Sequence, residues 1–358
     1  MTRIIGAVAI GLSLTGATQA QDGMVYAWGN EYFQFILWDV PEPNEGYVEV
    51  SMFWGHCLGL RANSSIIAWG DNEYGQCDVP PPNANFVAIS VGGYHSLALK
   101  NDGSIVAWGD NQFGQCDVPD PNSGFIAIAA GFEHSLALRD DGSIEAWGNN
   151  AYGSCDVPEP NEDFVKIDAT AHSVAVKSDT QVKAWGNNEH GQCDVPPPYA
   201  GYVDVVAGFM GTYGLKEDGS IVAWGSNEYG LLEIPEPNEG YVKVESGGWH
   251  ALARRESGEI VGWGANTAGE ARLPPLAGVV TDFAAGMAYS AVVMDAQTPF
   301  GACCIDFGCV QTFAGDCVRA GGTYLGDYSD CDGAGCPCLG DLNGDGLRDQ
   351  SDLGILLA

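Results

Sequence analysis

His56, His95, His134, His172 and His250 stand 39, 39, 38 and 78 residues apart, and imidazole is the side chain best suited to proton transfer near neutral pH. The regular interval argues against catalysis. An active site needs one base in one place, whereas a residue reused at a fixed period belongs to a repeated frame. Gly211 and Tyr289 take the same position in two further copies. The column therefore reads as turn or core hydrogen-bonders, and His190 stands outside it. Cys77, Cys116, Cys155 and Cys193 form a second column, occupied elsewhere by Trp38, Leu232 and Ala271, so these thiols read as small buried hydrophobes. Asp39, Asp78, Asp117, Asp156 and Asp194 form a third, structural by the same logic. Among 47 Asp and Glu no carboxylate pair stands out for glycoside hydrolysis. No G-x-S-x-G, H-E-x-x-H or phosphate-binding loop occurs. The sequence predicts no catalytic residue.

Recognition fits better. The two residues before the histidine column differ in every copy, yet aromatics and Met recur there. Trp54, Tyr94, Phe132, Phe209, Met210 and Trp249, with Glu133 beside Phe132, are the candidate binding residues. They fall in a turn between strands, so all should project from one face, and aromatic and Met anchors are what interfaces use. Tyr74, Phe113, Tyr152, His190 and Tyr229 are nearly uniform in type, and that column reads as packing.

The elements that position these residues are repeats. Trp-Gly recurs at Trp28, Trp69, Trp108, Trp147, Trp185, Trp224 and Trp263, with spacings of 41, 39, 39, 38, 39 and 39. Ser96–Leu99 and Ile105–Trp108 flank Asp102-Gly103, and Asp-Gly between alternating apolar runs is a strong hairpin signal. Phe86 to Val91 supplies another strand, and the prolines at 80–82 belong to a connection. A strand-only repeat of about 40 residues reads as one propeller blade. The array begins with the second half of a unit (Met24–Gly29) and ends with the first half (Ala284–Val293). The sequence thus predicts an all-β, seven-bladed propeller over 21–296, closed by shared N- and C-terminal strands.

The segments Gly92-Gly93-Tyr94-His95-Ser96-Leu97-Ala98-Leu99, Asp102-Gly103-Ser104, Trp108-Gly109 and Gly114-Gln115 resemble the repeat of the regulator of chromosome condensation family. The short period and the V-P connection are most similar to the secreted beta-lactamase inhibitor branch of that superfamily. This resemblance implies a propeller and, in that branch, a protein ligand.

Beyond Gln297 the repeat stops. Cys303, Cys304, Cys309, Cys317, Cys331, Cys336 and Cys338 are expected to build a disulfide-stapled module over 297–338, with one thiol left over. In the tail, 339–358, Asp341, Asn343, Asp345, Asp349 and Asp352 fill loop positions 1, 3, 5, 9 and 12, with Gly346 at 6 and the Leu347 carbonyl at 7. That is the EF-hand ligand pattern, and hard Ca²⁺ takes such oxygens. With Leu353–Leu357 opening a short helix, the tail resembles half of a dockerin, a family whose paired loops bind cohesin domains. One copy is present, and Arg348 stands where an aliphatic residue is usual.

Fourteen Lys and Arg against 47 Asp and Glu give a formal charge of −33, which excludes a nucleic-acid binder and docking on an anionic membrane. Residues 1–20 read as a signal peptide: Arg3, an apolar run to Leu14 too short to span a bilayer, then Thr18-Gln19-Ala20. Nothing else is apolar enough to cross a membrane. The expectation is a secreted or cell-surface propeller that binds an extracellular protein through an aromatic face, with Ca²⁺ in the tail and a cohesin-like domain as a second partner. The rival expectations are an extracellular carbohydrate-active hydrolase and a structural surface protein.

Overall fold

The computed structural model describes residues 23–29, 40–267, 269–274 and 279–295, and the backbone alone of 300–305, 308–313 and 323–324. The signal peptide, the calcium ligands Asp341 to Asp352, Trp38 and Asp39 lie outside the described residues, as does the expected cysteine pairing beyond Cys303. The regular elements among the described residues are strands, apart from a single 3-10 turn at Glu228–Gly230. Among them no helix is long and apolar enough to cross a membrane.

One grammar builds each unit. Phe86–Val91, His95–Lys100 and Ile105–Gly109 form an antiparallel three-stranded sheet in chain order. The Asp102-Gly103 turn joins the last two strands. Gly103 sits at φ +78, where a Cβ would be strained, and Ser104 donates through both N and Oγ to Asp102 Oδ1 at 3.0 and 2.6 Å. Four further sheets repeat the pattern, beginning at Phe125, Phe164, Tyr202 and Tyr241.

The remaining sheet of the array has six strands, in the order Val280–Ala285, Tyr289–Asp295, Gly23–Gly29, Tyr47–Met52, His56–Arg61, Ile66–Gly70. Its two halves share one bridging pair, Gly23 with Tyr47, so it is two three-stranded units set edge to edge. Within the first half, Gly23–Gly29 pairs with Tyr289–Asp295 over its whole length. A separate sheet follows from Phe300–Ile305, Gly308–Phe313 and Thr323–Tyr324.

Neighbouring units are joined by buried apolar packing and by a repeated polar relay. Leu97, Leu99 and Ile105 of one unit pack with Phe125, Ala130, Ala137 and Trp147 of the next. Trp108 Nε1 donates to the Gln76 carbonyl of the preceding unit at 2.8 Å. Ser96 Oγ donates to the same carbonyl at 3.0 Å and accepts from His56 Nε2 at 2.9 Å. The His95–Ser135, His134–Ser173, His172–Thr212 and His250–Ser290 pairs repeat the contact at 2.7 to 3.0 Å. Burial pushes these imidazoles down to about 3 or 4, so they are neutral struts. Between the last unit and the first the chemistry changes. Tyr289 takes the histidine position and donates to Phe53 O at 2.6 Å, while Cys57 takes the serine position.

The Asn of each V-P-x-P-N connection clamps the start of the third strand. Asn122 Oδ1 accepts from Ile105 N at 2.7 Å and Asn122 Nδ2 donates to Ile105 O at 2.8 Å, so a side chain supplies the next rung of the ladder.

Candidate functional site

The middle strand runs from the histidine to a basic residue, and the third strand runs back. Each unit therefore presents its Asp-Gly turn on one face, here the turn face. On the other, the loop face, lie the turn before the histidine and the loop after Trp-Gly. Asp110 N donates to Tyr94 O at 2.9 Å and ties these two loops together.

The crown of the loop face is the column expected to pack. Tyr74, Phe113, Tyr152 and Tyr229 are 42, 49, 62 and 53% exposed, and His190 is exposed as well. The repeat preserves this loop for its main chain: Tyr74 N donates to Gln76 Oε1 at 2.8 Å and Phe113 N to Gln115 Oε1 at 2.9 Å, leaving the rings in solvent.

The residues singled out as binding anchors divide into three groups. Trp54, Tyr94, Phe132 and Phe209 are half-buried and converge, with ring centroids 5.2 Å apart for Trp54–Phe132, 6.2 Å for Trp54–Tyr94, 5.8 Å for Tyr94–Phe132 and 6.1 Å for Phe132–Phe209. Tyr74 joins through Tyr94 at 5.2 Å. Trp249 is exposed and pairs separately with Tyr229 at 6.2 Å. Met210 is 9% exposed, so it is a packing residue rather than a surface anchor. Glu133 is half-buried and accepts from Asn149 Nδ2 at 2.6 Å. Tyr94 has its phenol raised, first by desolvation and then by Tyr74, Asp71 and Glu133.

The two faces differ in charge chemistry. On the turn face, the aromatic that opens each of six first strands carries a cation from the end of its own middle strand. Arg139 lies 4.3 Å from the Phe125 ring, Lys216 3.4 Å from Tyr202 and Arg255 4.4 Å from Tyr241. Those cations also donate to nearby carbonyls, as Arg139 Nη1 does to Ser123 O at 2.8 Å. The loop-face segments carry Asp71, Glu73, Asp110, Glu133, Glu189 and Glu228, and Arg272 is their single Lys or Arg among the described residues.

Beneath the aromatic cluster, first-strand residues of every unit line a cavity of about 290 Å³. Phe53 lines it and contacts Phe132 at 6.3 Å, joining the cavity wall to the loop-face cluster. Glu49 and Asp168 are pushed up to about 8, mainly by burial. These carboxylates brace neighbouring strands: Asp168 accepts from Ala207 N at 2.8 Å, and Asp282 accepts from Val50 N at 3.0 Å and from Lys243 Nζ at 2.6 Å. Among the described residues no three His, Cys, Asp or Glu are grouped to hold a metal ion.

Cys57, Cys77, Cys116, Cys155 and Cys193 are free thiols. The last four are half-buried and hydrogen-bonded instead of being simple hydrophobes. Cys77 Sγ donates to Asp71 O at 3.2 Å, and its thiol is pushed up to about 12 by burial, then by Asp71 and Asp78.

Residues 86–115, 125–154 and 241–270 match the family model described as the regulator of chromosome condensation (RCC1) repeat. No curated protein matches the chain. Among solved structures, Prp20p from Saccharomyces cerevisiae is 16% identical with a TM-score of 0.63, the match covering 84% of this chain and 94% of that one. Human WBSCR16 is 18% identical with a TM-score of 0.60, covering 76% and 99%. The ectodomain of the Physcomitrella patens receptor kinase CR4 is 19% identical with a TM-score of 0.56, covering 66% and 68%. At these identities the likeness shows the fold: an all-β array of three-stranded units with propeller relatives. Three segments of the chain match the regulator of chromosome condensation repeat, and its fold is similar to that of these solved structures.

Proposed function

We propose that the chain is an extracellular protein-binding module, a closed seven-bladed propeller that grips a protein partner with its loop face. The observation that carries the reading is the crown of Tyr74, Phe113, Tyr152, Tyr229 and Trp249, each between 37 and 62% exposed on one rim. Rings of that size bury on the order of 150–250 Å² each on contact, and exposed aromatic clusters mark interfaces. The pairing of Gly23–Gly29 with Tyr289–Asp295 supports closure. Prp20p has binding properties to Gsp1p and histones, and yeast RCC1 (Prp20) is seen bound to Kap60. CR4 carries a related fold on an ectodomain. The expected signal peptide, disulfide module and single Ca²⁺ loop belong to the same proposal of an extracellular protein.

The hydrolase alternative would rest on the raised carboxylates Glu49 and Asp168. Asp168 is held by the Ala207 amide, and the cavity it lines adjoins an aromatic cluster.

The test uses the full chain as bait in its native secretome, beside a Phe113→Ala/Tyr152→Ala/Tyr229→Ala variant. A protein captured by the first and lost by the second, at equal melting temperature, is the expected result. Capture that ignores the crown, or depends on the turn face, overturns it.

A further inference from the structure

We propose that the loop face takes a basic protein surface, whose arginine and lysine side chains stack on Trp54, Tyr74 and Tyr94 between the carboxylates of Asp71 and Glu133. The inference rests on the loop face being the binding face, and it adds the chemistry of the partner.

Six turn-face rings each carry a cation from the same unit, with centroid distances of 3.4 to 5.4 Å. An aromatic face attracts cations electrostatically, best where solvent is partly excluded. The loop-face rings contact one another instead, and their segments hold one cation, Arg272. Acids accompany them: Asp71 and Glu133 lie close enough to Tyr94 to oppose ionisation of its phenol, and Glu73 and Glu228 directly precede the crown residues Tyr74 and Tyr229. An electron-rich surface edged by carboxylates and short of cations is complementary to guanidinium and ammonium groups.

A polysaccharide is the other ligand that stacks on exposed rings, and it wants a flat platform. The rings here are tilted: 58° between Trp54 and Tyr94, 57° between Tyr74 and Tyr94, 66° between Tyr94 and Phe132. Tilted rings make notches suited to side chains.

The probe is a fluorescein-labelled octa-arginine peptide, with xylohexaose as competitor, measured by anisotropy against the full chain at low salt. Asp71→Asn/Glu133→Gln removes two charges from the loop face, and Asp102→Asn/Asp141→Asn removes two from the turn face. The loop-face pair is expected to weaken binding about tenfold and the turn-face pair less than about twofold. Tyr74→Leu/Tyr94→Leu, which keeps apolar bulk, is expected to weaken it about fivefold with melting temperature unchanged. Equal weakening by the two charge pairs would mean that the net charge alone attracts the peptide, and the inference falls. Displacement of the peptide by xylohexaose also overturns it, in favour of a polysaccharide. If the peptide ignores the loop face while secretome capture still needs the crown, only the basic partner is lost. If both ignore it, the binding face is wrong as well.

Discussion

Phe125 and Phe113 lie 12 residues apart in sequence and on opposite faces of the array. Phe125 is 2% exposed beneath the Arg139 guanidinium, and Phe113 is 49% exposed with no cation over it. The same residue type does opposite work because of what the repeat places beside it. On the turn face the strand end supplies the cation, and the Ser123 and Pro121 carbonyls hold that cation in place. On the loop face the repeat fixes the backbone through Gln76 and Gln115 and leaves the ring to solvent. A repeat thus satisfies one face from within and leaves the rings of the other in solvent.

Acid should erase the distinction by dissolving the layer between the faces. The five buried imidazoles titrate at about 3 or 4 in the folded chain against 6.5 when free. Below pH 6.5 the unfolded chain therefore takes up protons first, and stability is lost as pH falls, by about 1.4 kcal/mol per histidine per pH unit. Glu49 and Asp168 act in the opposite sense: raised to about 8, they favour the folded state at low pH and lose that advantage as pH rises through 8. The five imidazoles outweigh the raised carboxylates Glu49, Asp168, Asp204 and Glu245 below 6.5, and above it the imidazoles no longer contribute while these carboxylates still do. Thermal melts from pH 4 to 8 should peak near pH 6.5. Stability that climbs steadily toward pH 4 would mean the histidines are not held neutral.

The next effect compares the rings directly. Phe125→Ala should cost about 3–5 kcal/mol through lost burial and a cavity, and Phe113→Ala less than about 0.5 kcal/mol. Urea unfolding of the two variants measures both, and equal losses would remove the difference between the faces. The smallest effect isolates the cation: Arg139→Met keeps the stem over Phe125 and removes the charge, for about 1 kcal/mol. No loss at all would make the turn-face cations ornamental and weaken the case that the loop face lacks something.

The all-β repeat was legible because period, Asp-Gly turns and Trp-Gly endings all repeat at one spacing. The histidine column was legible too, since periodic reuse points to a frame. Exposure was harder. Tyr74 and its equivalents are uniform in type, which suggests packing, yet the uniformity belongs to a loop whose main chain is the conformational requirement. Met210 follows Phe209 in the same turn and shares its chemistry, but its side chain is buried against the array. Such differences depend on neighbours about 40 residues away, which a column of residue types does not record. The Asn clamp was not legible, because its partner, the first residue of the third strand, lies 17 residues upstream.

The strand at Gly23–Gly29 has its partner at Tyr289–Asp295, so Met24 meets Met294 across 270 residues of chain. Every other three-stranded unit draws on a single local stretch and is free to form as soon as that stretch exists. The composite unit pays a loop-closure entropy the others avoid, and it must wait for Tyr289–Asp295 to leave the ribosome. Until then the first strand is an unpaired edge. Assembly should therefore end in one slow, long-range step, and substitutions in Tyr289–Asp295 should retard refolding more than equivalent changes in His134–Arg139.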